Sequence, residues 1–177
     1  MPPANQIRII VGRWRGRRVR FPPREGVRPT PDRVRETLFN WLGQDLTGAT
    51  TLDPFTGSGA LSLEALSRGA ALAVAIDRSA ALVRALAATG AALGAAALEA
   101  HCADAHVFLA RETRLFDVIF LDPPFDEAAW PAVTSVASAL SVALSLAWAT
   151  ATWRVAGRSL RTSTLSPIAS VQPSLLG

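Results

Sequence analysis

Four aspartates and two glycines carry the chemistry open to this chain. Asp122-Pro-Pro-Phe125 follows the apolar run Leu115 to Leu121. An exocyclic amine on a nucleobase is a poor nucleophile, because its lone pair is delocalised into the ring. Two acceptors holding its hydrogens would localise that pair. The Asp122 carboxylate and the Pro123 carbonyl can supply them, since Pro123 and Pro124 stiffen the turn and fix where the carbonyl points. Phe125 offers a face for a flipped-out base. Taken alone, the tetrapeptide is equally a proline turn closing a strand, with Phe125 in a core.

The second motif is Asp53-Pro-Phe-Thr-Gly-Ser-Gly-Ala60. Gly57 and Gly59 let the backbone turn into a helix and approach a ligand closely, with Phe55 and Ser58 in the same loop. A plain strand-to-helix turn would read the same way. Ser62 stands where a dinucleotide fingerprint wants its third Gly or Ala, which disfavours a nicotinamide dehydrogenase. Asp77 ends the next apolar run, where an acid can accept hydrogen bonds from ribose hydroxyls or can cap the following helix. Asp104 lies in His101-Cys-Ala-Asp-Ala-His106. No second Cys or His cluster completes a zinc site, so no metal is expected. A loop carboxylate contacting an adenine amine suits its place better.

These acids need a scaffold that lines them up. Strand ends at Thr51–Pro54, Ala71–Asp77, Leu98–Cys102 and Leu115–Leu121 alternate with helices at Gly59–Arg68, from Ser79 to about Leu93, and at Ala105–Arg111. Such alternation predicts an α/β fold with a mostly parallel sheet and helices on both faces. Upstream, Ile7–Val11 and Val19–Phe21 flank Gly-Arg-Trp-Arg-Gly-Arg and predict a basic β-hairpin. Thr30 is expected as the N-cap of a helix with Pro31 at its first position, an inward face of Val34, Leu38, Trp41 and Leu42, and a stop at Gly43.

Charge is unevenly placed. Residues 1–36 carry ten Arg against three acids, whereas the remaining residues sum to −3. A localised basic arm is an electrostatic footprint for a polyanion, and guanidinium suits phosphate. Arg13, Trp14, Arg15, Arg17, Arg18, Arg28 and Arg33 are the candidate RNA contacts, the interleaved Trp and Gly favouring nucleic acid over a merely solvated surface. One cysteine and no signal pattern give an expectation of a cytoplasmic protein.

Together these residues resemble the RsmD family, bacterial 16S rRNA guanine-(N2)-methyltransferases of the guanine(966) type. The match covers about residues 6–135. It rests on Gln6–Gly12, on Arg28-Pro-Thr-Pro-Asp-Arg-Val-Arg-Glu-Thr-Leu-Phe-Asn-Trp-Leu42, on Asp53–Arg68 and on Asp122–Phe125. The resemblance implies a Rossmann-like methyltransferase fold. It implies S-adenosylmethionine held by Asp53, Gly57 and Gly59, with the ribose near Asp77 and the adenine near Asp104. The implied acceptor is the 2-amino group of a guanine in 16S rRNA, within the small ribosomal subunit or its assembly intermediate, with the hairpin gripping phosphates. A monomer with no membrane partner is expected. The alternatives are methylation of an adenine or cytosine amine on DNA or RNA, and a catalytically impaired RNA-binding homologue.

Two features depart from the family. Ala75 stands where the family often has Glu. Residues 128–177 contain no acid, and residues 128–153 no charge at all. By length that stretch would allow a membrane span, but Ser, Thr and Ala dominate it and Pro131 interrupts it. No strand alternation is recognised in residues 136–177, so the expectation is a sheet lacking its C-terminal strands, with a frameshifted or otherwise altered tail. The organisation read from sequence is therefore 1–43 as hairpin and capping helix, 44–135 as methyltransferase core and 136–177 as atypical tail.

Overall fold

The computed structural model describes residues 5–23, 30–122, 143–146 and 149–153. A two-stranded antiparallel hairpin, β1 (Gln6–Arg8) and β2 (Arg18–Arg20), precedes helix α1 (Asp32–Leu42). Then follow β3 (Thr50–Asp53), α2 (Ala60–Ser67), β4 (Leu72–Asp77), α3 (Ala80–Leu93), β5 (Leu98–Cys102), α4 (Ala105–Leu109) and β6 (Val118–Leu121). The main sheet has the order β5-β4-β3-β6-β8-β7, with β3 to β6 parallel. The chain runs outward from β3 through β4 to β5, then returns to place β6 on the other side of β3. Such a reversal opens a crevice at the carboxyl ends of the two strands flanking it. Asp53 ends β3 and Asp122 follows β6.

Period-two apolar patterns bury both faces of the sheet, as parallel strands require. On one face Ala73, Ala75, Val118 and Phe120 join a core with α1, α2, α3 and the hairpin residues Ile7, Ile9, Trp14, Val19 and Phe21. On the other, Leu52, Val74, Ile76, Ile119 and Leu121 pack with Leu109 and Phe116. Phe39 of α1 meets Phe120 of β6 with ring centroids 5.9 Å apart.

The C-terminal strands expected to be missing are present in part. β7 (Ala143–Leu146) and β8 (Ala149–Trp153) pair antiparallel, and β8 pairs antiparallel with β6 from Val118↔Trp153 to Leu121↔Thr150. The physical reason is that β6 would otherwise present an unpaired edge, and an uncharged run with alternating Thr can satisfy it. These strands also answer the membrane reading for the stretch they occupy. Among the described residues, no helix is long and apolar enough to cross a membrane.

Three local expectations are corrected. β1 stops at Arg8 instead of running to Val11, because the Ile10 and Val11 amides donate to the two carboxylate oxygens of Glu64, at 2.8 and 3.0 Å, rather than to a ladder. The inward face of α1 is Arg35, Leu38 and Phe39, and Trp41 is 62% exposed. Thr30 does not cap α1: Pro31 occupies that position without a side-chain cap, and its carbonyl accepts from Val34 and Arg35.

Candidate active site

Asp53 is buried at the end of β3, and its Oδ2 accepts from the Ser62 hydroxyl at 2.9 Å. Ser62, read from sequence only as a missing glycine, therefore anchors this carboxylate from the first turn of α2. Ser62 and Thr56 hydroxyls also lie 3.3 Å apart. Burial pushes the Asp53 carboxyl up to about 7, the charge of Asp122 adding to the rise while the Ser62 and Thr56 hydroxyls oppose it. A cationic ligand in the crevice would reverse that shift, since an opposite charge favours the ionised form.

Asp122 sits directly after β6, and burial raises its carboxyl above the ordinary range, against a lowering by the Thr30 hydroxyl. That hydroxyl donates to Asp122 Oδ2 at 3.3 Å. The partnership was missed from sequence because Thr30 reads as an N-cap. Pro123, Pro124 and Phe125 lie outside the described residues, as does Arg28.

The glycine loop links the strand ends. Gly57 and Gly59 adopt left-handed backbone, with φ of +52° and +78°. The Gly57 amide donates to Asp77 Oδ2 at 3.1 Å, and the Ser79 amide donates to Asp77 Oδ1 at 2.7 Å. Asp77 thus fastens the loop after β3 to the start of α3. A Cβ on Gly59 would meet Leu86 Cδ1 at 2.4 Å, so the missing side chain there also lets α3 pack closely. Ser58 is buried and Phe55 partly buried beside the second core cluster. Asp104 is the N-cap of α4, its Oδ1 accepting from His106 and Val107 amides at 2.9 and 3.2 Å. Four acids consequently stand at or just beyond the carboxyl ends of four adjacent strands.

The basic hairpin is fixed to this scaffold through α2. Glu64 and Arg68 pair at 2.9 Å, and Glu64 and Arg35 at 3.3 Å, with Glu64 and Arg35 fully buried. Arg35 Nη2 also donates to the Arg8 carbonyl at 2.8 Å. The loop crosses the end of α2 at Gly12, where a Cβ would lie 1.8 Å from the Ser67 carbonyl oxygen. Arg13, Arg15, Arg17, Arg18 and Arg33 are exposed. Trp14 departs from its expected RNA contact: it is 8% exposed, packed in the core, with the Arg13 guanidinium over its ring at 5.7 Å. The indole braces the loop that displays the arginines, because an aromatic flanked by the α2 terminus gains more from burial than from water.

The family model described as Conserved hypothetical protein 95 matches residues 7–147. The chain is 48% identical over 122 residues to Ribosomal RNA small subunit methyltransferase D of Escherichia coli, covering 69% of this chain and 62% of that protein. It is 40% identical over 124 residues to the protein of the same name from Haemophilus influenzae, covering 68% and 64%. The chain thus matches rather less than two thirds of the length of these relatives. A solved structure of the methyltransferase-type protein yhhF from Escherichia coli aligns with a TM-score of 0.70 at 44% identity, covering 76% of this chain and 74% of that one. Sequence and architecture agree, and the chain belongs to the RsmD family.

Proposed function

We propose that the chain is an S-adenosylmethionine-dependent methyltransferase that modifies the 2-amino group of a guanine in 16S rRNA, the guanine(966) type, during small-subunit assembly. The single observation carrying this reading is the placement of Asp53 and Asp122 at the carboxyl ends of the adjacent strands β3 and β6, where the strand order reverses and the charge of one acid reaches the other. The names of the family relatives support the rRNA substrate.

The residues present fit the cofactor. S-adenosylmethionine carries a sulfonium and an ammonium group, ribose hydroxyls and an adenine amine. Adjacent carboxylates complement all four. Asp53, Phe55, Gly57, Ser58 and Gly59 would hold its amino-acid end, with Asp77 toward the ribose and Asp104 toward the adenine. When bound, it supplies an electrophilic methyl group.

The chain's own contribution is to present and sharpen the acceptor. The Asp122 carboxylate accepts a hydrogen bond from the base amine and draws its lone pair out of the ring. The Pro123 carbonyl would accept the second hydrogen bond, Pro124 would keep the turn stiff and Phe125 would stack on the extruded base. Arg13, Arg15, Arg17, Arg18, Arg28 and Arg33 hold the phosphates, and the exposed guanidinium groups of Arg13, Arg15, Arg17, Arg18 and Arg33 make that grip electrostatic.

Purified, undermethylated small subunits, free 16S rRNA and duplex DNA, each incubated with the protein and methyl-labelled cofactor, test the reading. Label on subunit rRNA is expected. Label on the DNA alone would reassign the acceptor.

A further inference from the structure

Thr30 has no capping work to do. The first turn of α1 is closed by the Pro31 carbonyl, which accepts from the Val34 and Arg35 amides at 3.0 and 3.1 Å. The Thr30 hydroxyl instead points across the fold to Asp122 Oδ2, 92 residues away in sequence. The Thr30 backbone is itself held, its carbonyl accepting from Arg35 Nε at 3.2 Å. Arg35 is in turn fixed by the buried carboxylate of Glu64 on α2. A continuous chain of polar contacts therefore runs from Glu64 through Arg35 and Thr30 to Asp122. It joins the helix behind the glycine loop to the acid at the end of β6.

We propose that Thr30 is a positioning residue for methyl transfer: by binding Oδ2 it fixes the Asp122 carboxylate plane and leaves Oδ1 to receive the acceptor amine. The proposal rests on the reading that Asp122 accepts a hydrogen bond from that amine. A carboxylate free to rotate would present the correct oxygen only part of the time, and misorientation at a reacting centre lowers turnover without weakening binding.

The same contact bears on protonation. Burial raises the Asp122 carboxyl and the Thr30 hydroxyl opposes that rise. Among the described residues, Asp53 on β3 feels the charge of Asp122, and Arg35 on α1 reaches Asp122 through Thr30. Asp122 must be ionised to accept the hydrogen. Loss of the hydroxyl therefore moves the acid limb of kcat toward higher pH, and return of a hydroxyl on a smaller side chain moves it back.

The experiment compares wild type, Thr30→Val, Thr30→Ser and Asp122→Ala on undermethylated small subunits across pH, with cofactor affinity from calorimetry. Thr30→Val is expected to lose about tenfold in kcat near neutrality, the worth of one hydrogen bond to a charged group. Its acid limb is expected to rise, with KM for subunits and cofactor affinity within about twofold of wild type. Thr30→Ser is expected to restore both rate and limb. Thr30→Ala carries the same expectation as Thr30→Val should the latter not fold. A Val variant with wild-type kcat and an unmoved limb, or a Ser variant as impaired as Val, overturns the proposal while an inactive Asp122→Ala leaves the reading of Asp122 standing. An active Asp122→Ala removes both.

Discussion

Arg35 and Glu64 face each other at 3.3 Å with neither side chain exposed to solvent. Glu64 also accepts from Ile10, Val11 and Arg68, so both of its oxygens are bonded from three separate segments. The pair ties the hairpin, α1 and α2 into one body. The displayed arginines are thereby referenced to the helix that begins at the glycine loop.

Truncating one partner of such a pair leaves an uncompensated buried charge. Glu64→Ala is expected to cost about 3–5 kcal/mol. By contrast, Glu99 and Arg114 pair at 2.9 Å with both side chains 42% exposed. Glu99→Ala is expected to cost less than about 1 kcal/mol, since exposed pairs are screened. Urea melts of the two variants read the difference. Equal midpoints would show that the Glu64 cluster contributes no more than a surface contact.

The pH dependence of stability reports on Asp53. Its carboxyl is pushed up to about 7 in the folded protein from an ordinary value of 3.8. The folded state thus binds the proton more tightly than the unfolded chain. The stability this residue contributes is complete below its unfolded pKa and is lost as pH rises through about 7. The Tm gap between Asp53→Asn and wild type should therefore move in the variant's favour as pH rises from about 4 to about 7. A gap that stays constant across that window would show Asp53 to titrate normally.

Arg13, Arg15, Arg17 and Arg18 are exposed on one hairpin. Each phosphate they neutralise contributes about 0.7–0.9 to the slope of log affinity against log salt. Replacing all four by Ala should make that slope shallower by up to about three for rRNA, as measured by a salt titration of binding. An unchanged slope would make the hairpin ordinary basic surface.

The strand-end acids were legible because each closes an apolar run before a glycine, a cap or a proline. The mostly parallel sheet with helices on both faces followed from the alternation of strands and helices, whereas the strand order came only from the structure. The buried face of α1 was not, because a period argument counts Arg35 as outward, and only the distant Glu64 makes its burial affordable. Thr30 was misread because local pattern assigns its hydroxyl to its own helix, and Ser62 was read only as an absent third glycine, whereas here each hydroxyl serves an aspartate at a strand end, Ser62 nine residues from Asp53 and Thr30 far from Asp122. β8 escaped notice since its alternating Ala and Thr carry little hydrophobic contrast, and its pairing is dictated by the open edge of β6.

The central claim is that Asp122 enables methyl transfer to a guanine amine of 16S rRNA. Mapping labelled methyl groups on rRNA from small subunits treated with wild type or Asp122→Ala tests it most directly. The account predicts label at one guanine 2-amino group with wild type, none with the variant, and nearly equal cofactor affinity for both. Label from Asp122→Ala at the wild-type level would contradict it.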